Sequence, residues 1–208
     1  MGINSIKENL KIYYNTEADL RDNSVKSEWK IKVRDEFLDL IKQESKKTLL
    51  EIGAGAGYDS RFFMDNGLTV TAVDLSVEMV KKCRDKCIEA YELDFYLLSS
   101  LNKKFDCVWA MNTILHVPKS DLGHVLNEIN SVLNDDGLFY MGVYGGHDSE
   151  REHVKSEVSD APRLYSSYSE NRLKEMLEKH FQIIDFKQFD VGRGIEEDIF
   201  QSAIMKKK

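Results

Sequence analysis

Apolar positions recur along this chain at two periods, one suited to helices and one to strands. Residues 26–43, KSEWKIKVRDEFLDLIKQ, set Trp29, Val33, Phe37, Leu40 and Ile41 on one stripe, which predicts an amphipathic helix. Short apolar runs at 47–52, 68–74, 90–95, 105–111 and 138–144 predict five strands. Helices are expected between them. One is short and ends at Gly67. One spans 76–87 with Ser76 as its N-cap. One spans 120–133, where Leu122, Val125, Leu126, Ile129, Val132 and Leu133 repeat after Pro118. A helix over 169–180 and two strand-like runs, 181–189 and 199–206, close the chain. Residues 145–168 show neither period and read as irregular.

Strands alternating with helices predict an α/β fold, with a doubly wound parallel sheet and helices on both faces. The short connection between the last two strands predicts a hairpin, so one of them runs antiparallel. The chain reads as a single domain over 1–208. Residues 1–44 form an N-terminal helical cap, 45–144 the core, 145–168 a candidate substrate lid, and 169–208 the last helix and hairpin.

Charge and composition narrow the function. Of 208 residues, 36 are acidic and 29 basic, a net charge of −7. A nucleic-acid binder is expected to show a basic face, so a small-molecule partner is favoured and nucleic acid is not. No apolar stretch reaches the length of a membrane span, and the N-terminus lacks a signal-peptide core. Three cysteines (Cys83, Cys87 and Cys107) fit a reducing compartment, which with the absent signal predicts a cytoplasmic protein. No metal is expected, and monomer and homodimer both stay open.

The stretch LLEIGAGAGYDS, 49–60, carries the strongest chemical signal. It places Gly53, Gly55 and Gly57 where the first strand turns into a helix, the expected ligand site of such a sheet. Glycine there admits positive φ and close approach to the main chain. A dinucleotide loop would need a third glycine at position 58, which is Tyr58, and no G-K-[ST] follows for a phosphate loop. Glu51, just before the loop, would repel a pyrophosphate and welcome a cation or hydrogen-bond donors. Asp74 ends the second strand, where an acid can take both hydroxyls of a ribose. Asp94 ends the third, where it could accept from an exocyclic amine.

LLEIGAGAGYDS, TAVDLSVEMV, LDFYLLSSLNKKFDCVWAMNTILHV and INSVLNDDGLFYMGVY resemble, in order and spacing, the motifs of class I S-adenosylmethionine-dependent methyltransferases. The resemblance is close over roughly 45–144 and looser beyond. It implies a Rossmann-like seven-stranded sheet of order 3-2-1-4-5-7-6 with strand 7 antiparallel. It implies S-adenosyl-L-methionine as cofactor and a transferase acting on a small molecule. By that resemblance Asp94 and Phe95 would sit by the adenine, and Asp74 with Leu75 by the ribose. Gly53, Ala54, Gly55 and Gly57 would pack on the methionine part, with Glu51 supporting its amino group. Met79, Ala110 and Met111 complete the expected cofactor set. The N-terminal segment commonly lies over the cofactor in such enzymes, and Tyr14 is the candidate contact there, beside Tyr13, Trp29 and Arg34.

Acceptor residues are less legible. His116, after the fourth strand, is a general base or orienting donor if it faces the methyl group, and a helix-start residue if turned away. Asn112 and Thr113 are neighbouring polar candidates. Tyr144 and His147, at and after the end of the fifth strand, are the other catalytic candidates, and Arg163, Tyr165 and Tyr168 line or pack the lid. Two rival readings remain at this point: a non-catalytic S-adenosylmethionine-binding sensor or assembly protein, and a nucleotide-dependent oxidoreductase.

Overall fold

Both faces of the central strands are apolar, and the structure buries both. The computed structural model describes residues 2–24, 26–155, 157–192 and 199–208. Two helices, α1 (Ile3–Asp22) and α2 (Glu28–Gln43), precede the sheet. The next elements alternate: β1 (Thr48–Ile52), α3 (Tyr58–Asp65), β2 (Thr69–Asp74), α4 (Val77–Asp85), β3 (Glu89–Glu92), β4 (Phe105–Met111), α5 (Leu122–Val132) and β5 (Leu133–Gly145). Then come β6 (Ser149–Lys155), β7 (Ser159–Ser167), α6 (Glu170–Leu177), β8 (Phe181–Asp190) and β9 (Ile199–Lys207).

Seven strands form one sheet in the order β3-β2-β1-β4-β5-β9-β8. Counted within that sheet this is the expected 3-2-1-4-5-7-6. The first five strands pair in parallel, and β9 runs antiparallel to both β5 and β8. Side chains alternate across it, as the pleat requires. Leu49, Cys107, Trp109, Leu138 and Tyr140 face α2 and α3, where they meet Phe37, Ile41 and Phe63. Leu50, Val108, Ala110, Phe139 and Met141 face the opposite layer, with Val125, Ile129, Leu173 and Leu177 from α5 and α6. Trp109 stacks on Tyr140 at 3.9 Å between centroids, so it serves packing, as its place in a buried strand predicts. Burying each such large side chain contributes about 1.5–3 kcal/mol. Among the described residues no helix is long and apolar enough to cross a membrane.

Four local expectations hold or change for physical reasons. Ser76 caps α4 by accepting from the Met79 N–H, and Gly67 takes φ +91° after α3. The third strand stops at Glu92, short of the expected 90–95 run. Asp94 instead caps a 3-10 turn over Phe95–Leu101 by accepting from the Tyr96 N–H at 3.0 Å. The segment expected to be irregular is largely an antiparallel pair, β6 with β7, in which Arg151 faces Tyr165 and His153 faces Arg163.

Candidate active site

The parallel strands β1, β2 and β4 end at one edge of the sheet, and a cavity of about 210 Å³ lies beyond those ends. Gly53, Ala54 and Gly55 line it, with Glu51 from β1, Asp74 and Leu75 from the end of β2, Leu93 and Phe95 after β3, and Met111 from β4. The helix α1 crosses its mouth, contributing Leu10, Tyr14 and Arg21. Ile6 and Leu10 hold α1 on Leu164 of β7, and Ala18 packs on Ala56 and Met79. The Ser76 hydroxyl donates to Asn15 Oδ1 at 2.6 Å, tying the same helix to α4.

The three glycines of the loop have different causes. A Cβ on Gly53 would lie 2.2 Å from Thr113 Oγ1, and one on Gly57 would lie 2.7 Å from Ile88 Cδ1. A side chain there would have to displace protein atoms, and both positions also sit at positive φ, +66° and +80°. A Cβ on Gly55 would meet nothing within 4 Å, although its φ is +54° and it lines the cavity. Gly55 is thus the loop position whose bareness serves the cavity.

Two carboxylates flank this loop. Asp74 Oδ2 accepts from the Gly55 N–H at 2.8 Å and Oδ1 from the Ser76 N–H at 2.9 Å. Burial pushes its pKa up, and those N–H groups pull against the shift. Glu51 is buried, accepts from the Ser60 hydroxyl, and is pushed well above the ordinary carboxylate range by burial and by the neighbouring Asp59. Asp59 itself receives Lys26, the Arg34 Nη1 at 3.3 Å and the Trp109 indole N–H at 3.3 Å. Asn112 closes the set. It sits at φ +56°, directly after β4, and its Oδ1 is buried without a hydrogen-bond partner. A strained residue with an orphaned acceptor marks a place where a donor from outside belongs.

A second cavity, of about 340 Å³, opens beside the first, and the two share Tyr14, Arg21, Lys30, Asn112 and His116. At this junction Tyr14 Oη lies 2.6 Å from His116 Nε2, and His116 Nδ1 lies 2.7 Å from the Leu164 carbonyl. A carbonyl only accepts, so Nδ1 carries the proton and Nε2 accepts from the Tyr14 hydroxyl. Burial, with Arg163 and Arg21 nearby, pushes the His116 pKa down to about 3, so the imidazole is neutral. The far wall of the second cavity is the β6–β7 pair, which presents Ser149, Arg151, His153, Arg163, Tyr165 and Ser167. Tyr144 lines it from β5.

The structure therefore gathers Tyr14, Glu51, Gly53, Ala54, Gly55, Asp74, Leu75, Phe95, Met111, His116 and Tyr144 around the two cavities. It turns His116 inward. Five expected residues line neither cavity. Gly57 and Met79 support the loop and α1 from behind, and Ala110 lies in the core. Asp94 pairs with Lys7 of α1 at 2.6 Å. His147 sits in the bend after β5. Tyr168, expected to line or pack the lid, packs in the core. Arg21, Lys30 and Arg151 escaped notice in the sequence, because each reads there as an ordinary charge of a polar segment.

A family model described as a methyltransferase domain matches residues 26–181. The malonyl-[acyl-carrier protein] O-methyltransferase of Hamiltonella defensa is 31% identical over 122 residues, covering 57% of this chain and 46% of that protein. The glycine/sarcosine N-methyltransferase of Aphanothece halophytica is 27% identical over 114 residues, covering 50% and 43%. These matches thus span less than half the length of either relative. Burkholderia thailandensis 1,6-didemethyltoxoflavin-N1-methyltransferase, solved with 1,6-didemethyltoxoflavin and S-adenosylhomocysteine, superposes with a TM-score of 0.73 at 22% identity, over 99% of this chain and 88% of that one. At that identity the likeness speaks for the fold.

Proposed function

Because this chain belongs to the methyltransferase-domain family, we propose that it is an S-adenosylmethionine-dependent methyltransferase acting on a small molecule in the cytoplasm. The observation that carries this reading is Gly55, bare and left-handed, between Glu51, Asp74 and the unpartnered Asn112 Oδ1. That set of acceptors suits a cofactor bearing an ammonium, a sulfonium and ribose hydroxyls but no phosphate. Asp74 would take the ribose, Glu51 and Asn112 the amino group, and Leu75, Leu93 and Phe95 would flank the adenine. The pairing of Asp94 with Lys7 leaves the adenine to these apolar neighbours and to nearby backbone.

When bound, the cofactor supplies an electrophilic methyl group on a sulfonium sulfur. This chain's part is to fix two reactants in line and keep water out, which is worth roughly 7–11 kcal/mol of barrier. Tyr14, Arg21 and the cavity-facing residues of β6 and β7 would form the cover that does so. Tyr14 offers a hydroxyl whose proton is held by neutral His116, so it orients an acceptor at the junction by accepting from it. A sensor needs a single cavity. Here a second one opens on the first through five shared residues, which favours turnover.

The test is incubation with methyl-labelled S-adenosylmethionine and pools of small molecules. Label entering an acceptor, with S-adenosylhomocysteine formed in equal amount, is the expected result. Tight cofactor binding with no transfer to any pool supports a sensor instead.

A further inference from the structure

The β6–β7 pair sorts its charges by face. On β6, Ser149, Arg151 and His153 line the second cavity, while Glu150 and Glu152 alternate to the other side. Glu150 is engaged there, accepting from the Lys119 N–H at 2.6 Å. Among the described residues no Asp or Glu lines this cavity, although acids outnumber bases in the chain by 36 to 29. Four cationic side chains do line it: Arg21, Lys30, Arg151 and Arg163. A cleft of one sign with low-dielectric walls focuses its field on the ligand it takes.

Arg163 gives the field a specific anchor. It is 6% exposed, and its guanidinium lies 3.7 Å from the Tyr13 ring centroid and 5.1 Å from that of Tyr165. Its Nε is buried with no hydrogen-bond partner. Glu17 is the nearby buried carboxylate, and it already accepts from Arg21 and, at 2.7 Å, from the Tyr13 hydroxyl. A buried guanidinium with an unused donor is costly unless an external acceptor completes it. A planar oxyanion does so with paired hydrogen bonds.

We propose that the methyl acceptor is a small oxyacid, a carboxylate or phosphonate, whose anionic group is seated by Arg163 with help from Arg151 on the inner face of the β6–β7 pair. This deepens the methyltransferase reading and rests on it for the word acceptor. Neutral and cationic acceptors are disfavoured because they leave the Arg163 Nε without an acceptor.

Calorimetric titration tests it in the full chain saturated with S-adenosylhomocysteine. The probes are malonate against malonamide, benzoate against benzamide, and methylphosphonate against its dimethyl ester, at constant ionic strength. At least one acid is expected to bind ten times more tightly than its neutral partner. Arg163→Gln should remove that preference, Arg163→Lys should keep part of it, and the affinity for S-adenosylhomocysteine should stay within about twofold. Arg151→Gln, on an exposed strand, should weaken the acid severalfold if Arg163→Gln fails to fold. The proposal is overturned if no acid outbinds its neutral partner, or if the preference survives in the folded variants. Failure to bind S-adenosylhomocysteine would count against the methyltransferase reading alone, since the acid preference is also measurable without it.

Discussion

The hydroxyl of Tyr14 donates to Nε2 of His116 across 2.6 Å, joining the first helix to the turn after β4. The two residues stand 102 positions apart in the chain and meet where the two cavities join. Tyr14→Phe removes the donor and leaves the imidazole nitrogen unanswered. We expect a loss of about 1–3 kcal/mol of stability in urea denaturation, and a larger fall in the methyl-transfer rate than in cofactor affinity. Unchanged stability would show that the bond contributes nothing to the folded state.

His116 also makes stability depend on pH. Its folded pKa is pushed down to about 3, against about 6.5 in an unfolded chain. Between those values the unfolded state binds the extra proton, so stability falls as pH falls. The slope from this group approaches about 1.4 kcal/mol per pH unit. Denaturation of the wild type and His116→Asn at pH 7, 6 and 5 should give curves that converge on acidification. Parallel curves would refute a buried neutral imidazole.

Asp74 holds the Gly55 and Ser76 N–H groups and faces the first cavity. Asp74→Ala should weaken S-adenosylmethionine binding by about 1–3 kcal/mol through loss of charged hydrogen bonds. Affinity equal to the wild type would remove Asp74 from the ribose.

Glu51 predicts a proton release. Burial and the neighbouring Asp59 push its pKa up, so it carries a proton for part of the neutral range. A cation seated beside it favours the charged form and expels that proton. Cofactor binding should therefore tighten as pH rises, and its calorimetric enthalpy should differ between phosphate and Tris. Glu51→Gln should abolish the buffer dependence. The same dependence in that variant would place the proton elsewhere.

The sheet was legible because buried parallel strands write long apolar runs, as KTLLEI and FDCVWAM do, and because glycines and acids punctuate their ends, while the strand order followed only from the family resemblance. The β6–β7 pair was not. Its alternation is of charge, with Arg151 and His153 on one face and Glu150 and Glu152 on the other, and neither face supplies the apolar period that marks a strand. The cationic wall was invisible for the same reason, since an arginine in a polar run reads as a solvated one until its face is known. Asp94 has a local role that the sequence did not show: it caps a turn and holds Lys7. The three glycines looked alike in sequence and all take positive φ, yet two are crowded by Thr113 and Ile88 and open space surrounds the third.

That third glycine gives the most direct test. The measurement is calorimetric titration of the wild type and of Gly55→Val with S-adenosylmethionine and, separately, with NADH. The wild type should bind S-adenosylmethionine and ignore NADH, and the folded variant should bind neither, because its side chain would stand in the cavity at a left-handed position. A wild type that binds NADH instead, or a variant that binds S-adenosylmethionine as well as the wild type does, would contradict the assignment of this loop as the cofactor site.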